Sequence, residues 1–135
     1  MVEMETTGRA LKCVVVTPER ALLDETVDFV VLPMYDGELG VLPGRAPLIG
    51  RLGYGELRIR RGEQTDRFFV DGGFAQVRAN VVTVLTSKAV KAEEIDTDAA
   101  SRILETRTSS PDQIKAAERA RAQLRVARHG REDVH

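Results

Sequence analysis

The pattern of apolar and polar positions changes at about residue 88. Before that point, short runs rich in β-branched residues, such as residues 11–16, are separated by glycine, proline and other turn-forming residues. This spacing, with no helical period between the runs, predicts a β-sandwich of two packed antiparallel sheets. In one run, Leu57 and Ile59 alternate with Glu56 and other charged residues. The alternation predicts a strand with one face in the core and the other, including Glu56, in water.

Turn-forming residues also mark the later strands. Residues 61–64 predict one turn, and Ala79 with Asn80 predicts another. Between these turns, Asp71, Gly72 and Gly73 are expected to interrupt the ladder, because glycine weakens a strand.

After residue 88 the pattern becomes helical. Asp96 or Thr97 can cap a first helix with a short apolar stripe, which is expected to end near residues 108–109. The chain of 135 residues is thereby divided into four parts. These are a flexible N-terminal extension (residues 1–9), a β-sandwich domain (10–88), a linker (89–95) and a helical hairpin (96–135).

The second helix has a clear start signal. Ser110, Pro111 and Gln113 have the order of an N-cap, a first helical residue and a capping-box partner. The helix is expected to reach about His129, with Gly130 as its stop. Two helices joined by a short connection form an antiparallel hairpin.

Basic side chains are concentrated on the second helix, at Lys115, Arg119, Arg121, Arg125 and Arg128. Arg121, Arg125 and Arg128 follow helical spacing and share one face. One interpretation is a solvated helix face, and the other is a cationic surface for an acidic partner. The apolar residues of both helices are mostly alanines, so we expect weak and reversible docking onto the sandwich.

Composition and motifs argue against several functions. The net charge of −1 disfavours nucleic-acid binding, and the single Cys13 excludes an internal disulfide framework. His129 and His135 are expected to be solvated at a frayed terminus. No phosphate-binding loop or metal-ligand spacing occurs in the sequence. We therefore expect a soluble non-enzyme with no catalytic residue, metal or cofactor, and with no membrane-spanning segment of its own.

Residues 33–48 are the most distinctive stretch, with three prolines and three glycines among apolar residues. Their Gly-Glu-Leu-Gly and Leu-Pro-Gly-Arg-Ala-Pro runs resemble the epsilon subunit of bacterial F-type ATP synthases, which usually has His at the position of Arg45. Further segments agree in order: residues 15–19, 70–74 with 81–85, 94–96 and 122–126.

The resemblance implies a central-stalk subunit that couples the gamma subunit to the c-ring during proton-driven ATP synthesis. It implies a c-ring interface at Gly37, Glu38, Leu39, Gly40, Pro43 and Arg45. It also implies that the basic second helix contacts the alpha and beta subunits and inhibits ATP hydrolysis. The subunit is expected at the cytoplasmic face of the cell inner membrane, held there only through the complex, and to be a monomer when isolated.

Some bacterial members of this family bind ATP at an Ile/Leu-Asp-x-x-Arg-Ala signature. The corresponding residues here are Ile95, Asp96, Ala99 and Ala100, so alanine replaces the arginine. Loss of this phosphate partner predicts a degenerate ATP site. Two alternatives to the rotor subunit remain open, a stand-alone β-sandwich that binds a ligand or acts as an adaptor, and a small hydrolase. The low aromatic content of 4% disfavours the ligand-binding module.

Overall fold

The computed structural model describes residues 10–106 and 110–133. The strands in these ranges are β1 Leu11–Val16, β2 Ala21–Val27, β3 Phe29–Met34, β4 Gly37–Val41, β5 Leu48–Arg61, β6 Gln64–Arg78, β7 Val81–Leu85 and β8 Ala89–Lys91. A 3-10 helix, Ala92–Glu94, precedes the helices α1, Thr97–Glu105, and α2, Pro111–Glu132. The predicted N-terminal extension, the connection at residues 107–109 and His135 lie outside the described residues.

The predicted β-sandwich followed by a two-helix region is confirmed. The strands form one hydrogen-bonded sheet in the order β2-β1-β7-β6-β5-β3-β4, with β8 added beside β6. The expectation of purely antiparallel sheets was wrong, because β1 pairs with β7 in parallel. The two layers are joined through β5 and β6, which are 14 and 15 residues long and contribute to both.

Strands β5 and β6 keep one register from the Leu48–Val77 pair to the Arg61–Gln64 pair, and pairing is missing only where Gly53 faces Gly72. The predicted interruption at residues 71–73 is therefore confined to Gly72, because Asp71 and Gly73 remain paired. At residues 71–73, the strand that pairs with the other edge of β6 changes from β8 to β7. Gly72 and Gly73 have φ values of 72° and 110°, which L side chains rarely adopt. The glycines therefore redirect the strand between layers without shifting its register against β5.

The alternating strand pattern holds on the core side of β5 and fails on its outer side. Leu57 and Ile59 are fully buried in the sandwich core, as predicted. Glu56 was expected in water, but only 6% of it is exposed. The reason is that α2 covers this part of the outer face, which the strand pattern alone does not reveal.

The segment predicted as a linker, residues 89–95, has regular structure. Its first residues form β8 against β6, and the 3-10 helix follows. Asp96 caps α1, which ends at Glu105, before the predicted residues 108–109. Ser110 and Gln113 form the predicted capping box of α2. Helices α1 and α2 contact each other, and we call them together the helical pair.

Gly73 provides a test of this strand geometry. A β-carbon at Gly73 would lie 2.0 Å from the carbonyl oxygen of Leu85, whereas one at Gly62 meets nothing within 4 Å. Both glycines have positive φ, 61° at Gly62 and 110° at Gly73, so Gly62→Ala shows the cost of a positive φ without a steric clash. In urea unfolding we expect Gly73→Ala to cost more than ~3 kcal/mol and Gly62→Ala about 1 kcal/mol. Equal costs at the two positions would contradict the close approach of β6 to β7.

Candidate functional site: the sandwich surface under the second helix

Helix α2 packs on the outer face of the β5–β6 ladder. Phe69 of β6 and Ala92 of the 3-10 helix are buried against Ala122 and Val126 of α2, with Tyr54 packed beside them. The side chains that α2 contributes, Ala122 and Val126, are small, so the helix is docked through a limited apolar area. This agrees with the thin apolar stripe expected from the sequence, and the strength of docking stays a prediction.

The last turn of α2 approaches the 3-10 helix closely at Gly130. A β-carbon at Gly130 would lie 2.6 Å from the Cβ atom of Ala92, well inside the normal separation of carbon atoms. The prediction that Gly130 stops the helix was wrong, because α2 continues to Glu132. Glycine here permits close packing of the helix end rather than ending the helix.

Arg119, in the middle of α2, forms hydrogen bonds to the sheet. Its Nε donates to Asp71 Oδ1 at 2.9 Å and its Nη2 donates to the Tyr54 hydroxyl at 3.1 Å. The guanidinium also lies over the Tyr54 ring, 4.7 Å from the centroid. The hydrogen bond to Asp71 raises the pKa of Arg119 further above its ordinary value. Arg119 therefore belongs to the docking contact and not to a free basic face.

A group of ionisable side chains, which we call the Glu56 cluster, joins the end of α2 to β5 and β6. It comprises Glu56, Arg58, Arg67, His129 and Asp133. His129 Nδ1 lies 2.5 Å from Glu56 Oε1, while Arg67 binds the other oxygen of the same carboxylate. Arg67 Nε also donates to Asp133 Oδ2 at 2.6 Å, and Arg58 Nη1 lies 3.7 Å from Glu56 Oε2.

The Glu56 cluster corrects the expectation for His129. The side chain was expected to be solvated at a frayed terminus, but it is only 33% exposed and contacts a buried carboxylate. Hydrogen bonds from Arg67 lower the pKa of Asp133, and the hydrogen bond to Asp133 raises the pKa of Arg67. Removing either side of this cluster would leave a buried charge with fewer partners, which is costly.

The remaining basic residues of α2 are exposed. They are Lys115, Arg121, Arg125 and Arg128. Lys115, Arg121 and Arg125 border a cleft of about 910 Å³ between α2 and the sheet, together with Arg51 and Tyr35. The structure therefore separates Arg119, which is engaged, from the other four members of the predicted basic set.

The predicted degenerate ATP site lies at the start of α1. Asp96 Oδ1 accepts a hydrogen bond of 2.9 Å from the Ala99 backbone N–H, so the carboxylate serves as the helix cap. Ile95 packs beside the buried contact under α2, and Ala100 is 1% exposed. The lack of ATP binding stays a prediction from the missing arginine.

The residues predicted to face the c-ring do not lie in one turn. Gly37, Glu38, Leu39 and Gly40 belong to the edge strand β4, where Leu39 packs toward the core and Glu38 lies 3.9 Å from Arg58. Pro43 and Arg45 lie in the following loop. That loop is fixed to the β6–β7 turn, because the Gly44 N–H donates to the Asn80 side chain at 2.7 Å. Gly37 and Gly40 are also exposed, but the exposed candidates with charged side chains are Glu38 on the strand and Arg45 in the loop.

An exposed apolar face was missed by the sequence reasoning. Phe74 and Leu85 are directly opposite each other on β6 and β7, and each is 51% exposed. Ile49 on β5, two pairs further along the β5–β6 ladder from Phe74, is 72% exposed. In the sequence, each occupies the outward position of an alternating strand, and nothing there distinguishes a partner surface from isolated apolar residues.

Across residues 10–106 and 110–133, the helices are too short or too polar to cross a bilayer. In the same ranges, no three His, Cys, Asp or Glu side chains are grouped so as to hold a metal ion.

Residues 10–92 match the family model described as ATP synthase, Delta/Epsilon chain, beta-sandwich domain. The chain is 52% identical over 127 residues to the ATP synthase epsilon chain of Rhodopirellula baltica, covering 88% of this chain and 99% of the relative. It is 47% identical over 95 residues to that of Carboxydothermus hydrogenoformans, covering 70% and 71%. The chain therefore belongs to the ATP synthase epsilon chain family, as the sequence motifs indicated.

Solved structures agree with this assignment. A chain of the Euglena gracilis mitochondrial ATP synthase, in a structure of its OSCP, F1 and c-ring, is similar with a TM-score of 0.72 and 26% identity. The similarity covers 94% of this chain and 82% of the other. A chain in the structure of the central stalk and c-ring of the Tetrahymena thermophila mitochondrial ATP synthase shares the fold, with a TM-score of 0.64 and 16% identity. That similarity covers 89% of this chain and 95% of the other.

Proposed function

We propose that this chain is a non-catalytic subunit in the central stalk of an F-type ATP synthase. Its β-sandwich joins the gamma subunit to the c-ring, and its helical pair restrains ATP hydrolysis through the alpha and beta subunits. The subunit would sit at the cytoplasmic face of the cell membrane, attached through the complex. Family membership and likeness to a chain in an F1/c-ring assembly support this role. The regulatory part of this proposal rests on one observation, that Arg121, Arg125 and Arg128 are exposed on the docked helix α2. We call these three residues the arginine face.

The two faces of the sandwich suit different partners. The apolar face of Ile49, Phe74 and Leu85 is suited to a protein surface that buries it, and we assign it to the gamma subunit. The polar edge formed by Glu38 and Arg45 is suited to charged loops, and we assign it to the c-ring. Arg45 keeps its charge across physiological pH, so a contact made by Arg45 is insensitive to pH in that range.

Crosslinking can test both assignments in one preparation. A photoreactive label on Phe74→Cys is expected to capture the gamma subunit, because the proposal places that subunit against the apolar face. The same label on Arg45→Cys is expected to capture the c-subunit. The native Cys13 is fully buried and burial raises the pKa of its thiol to about 12, so it does not compete for the label. Capture of the same subunit from both positions would refute the division into two faces.

The regulatory role is tested by removing the arginine face. Arg121, Arg125 and Arg128 are changed together to Ala, which keeps helix propensity and removes three charges. ATP hydrolysis by the membrane complex, measured without a proton gradient, is expected to rise by up to about 10-fold, since ~1.4 kcal/mol of lost attraction is a factor of ten.

The matched control changes the exposed Arg20, Arg78 and Arg102 to Ala, which removes the same charge elsewhere. Hydrolysis in this variant should stay at the wild-type rate. Equal rates in all three complexes, with the subunit present at normal amounts, would show that the arginine face does not restrain hydrolysis.

A further inference from the structure

Glu56, on the sheet surface under α2, is the only charged side chain that is buried among the described residues. The apolar contact that docks α2 is small, so the free energy of docking depends strongly on how Glu56 is satisfied. Its two oxygens have different partners. Arg67 and Arg58 face Oε2 from the sheet itself, whereas His129 of α2 faces Oε1. His129 is thus the partner of Glu56 that leaves when the helical pair undocks.

We propose that protonation of His129 controls docking of the helical pair, so that the pair is held on the sandwich more tightly at acidic than at alkaline pH. A protonated imidazole adds its own positive charge to the hydrogen bond with the Glu56 carboxylate, and this makes the contact stronger than the one that a neutral imidazole can make. When the helical pair is undocked, this bond is absent in either protonation state. Protonation therefore favours the docked state.

The other charged groups at this end of α2 do not cancel the effect. Arg67 and Arg58 are the cations nearest to Glu56, and both are shared with a second carboxylate, Asp133 for Arg67 and Glu38 for Arg58. Asp133, which directly follows α2, adds a negative charge at this end of the helix. Three further charged groups lie near this end of α2: Glu93 on the 3-10 helix, and Lys91 and Asp66 on the adjacent strands. Asp66 is already paired with Arg61.

The direction of the pH effect follows from these groups. Protonation of His129 adds a positive charge beside the Glu56 carboxylate, so acid strengthens this contact and alkali weakens it. Asp133 behaves in the opposite sense, because Arg67 lowers its pKa. The contribution of Asp133 is present above the ordinary carboxyl range and is lost only in stronger acid. Docking should therefore strengthen from pH 8 to pH 5.5.

We call the contact between His129 and Glu56 the clasp. Its consequence for regulation rests on the proposed function of the helical pair. A docked pair is withheld from the catalytic subunits, so acidification would delay its engagement and alkaline conditions would release it. The clasp itself can be measured on the isolated full-length chain, where no catalytic subunit is present. Failure of the arginine-face experiment would leave that measurement standing, and failure of the clasp would leave the arginine face standing.

Docking is measured by energy transfer between dyes on Glu63→Cys, in the β5–β6 turn, and Asp112→Cys, at the start of α2. Moderate urea, below the unfolding transition of the strands, brings the docking equilibrium into a measurable range. We expect the docking constant to be about five- to tenfold larger at pH 5.5 than at pH 8, because the imidazolium adds an ion pair to a hydrogen bond that already involves a carboxylate.

The chain offers a matched pair of variants, because it contains only two histidines, His129 and His135. His129→Gln keeps a hydrogen-bonding side chain that does not titrate, and it should remove the pH dependence. His135→Gln should retain it in full. Glu56→Gln should also remove it, and if that variant does not fold, the two histidine variants decide. A wild-type docking constant that is equal at both pH values, or a pH dependence that survives in His129→Gln, overturns the proposal.

Discussion

The long ladder between β5 and β6, which keeps one register on both sides of Gly72, supports the other features of this molecule. Its two strands pass through both layers of the sandwich, with Gly72 and Gly73 supplying the bend. The core side of this ladder holds the two layers together. Its outer side carries the contacts for α2, at Tyr54, Glu56 and Phe69. A rigid ladder of this kind fixes the docking surface, because close-packed sheets deform little.

The contact between helix and ladder is of a different kind. Alanine and glycine bring α2 close to the sheet and the 3-10 helix without burying much apolar area. Arg119 and the Glu56 cluster then supply charged hydrogen bonds at two points along the helix. Bonds of this type are sensitive to competing charges, protonation and salt. The sandwich can thus remain folded while the helical pair docks and undocks.

Local signals in the sequence were sufficient for most of the fold. The capping box at Ser110 and the alternation at Leu57 and Ile59 depend only on neighbouring residues, and both were predicted. The failures concern contacts between distant segments. Gly130 has the local character of a helix stop, and its packing against Ala92 depends on where the helix lands. For the same reason, the strand pattern could not show that a helix covers Glu56. Nor could it show that Glu56 contacts His129, which lies 73 residues later in the chain. The motif at residues 33–48 identified the family, while the exposed apolar face had no local signature.

The central claim is that the helical pair opens independently of a stable sandwich, and native-state hydrogen exchange tests it most directly. In the isolated chain, amides of α2 should exchange through an opening of lower free energy than amides of β5 and β6. Arg119→Met should lower the value for α2 further and leave the strands unchanged, because Arg119 contributes to docking and not to the sandwich core. A single opening free energy shared by α2 and both strands, in the wild type and in the variant, would contradict the account.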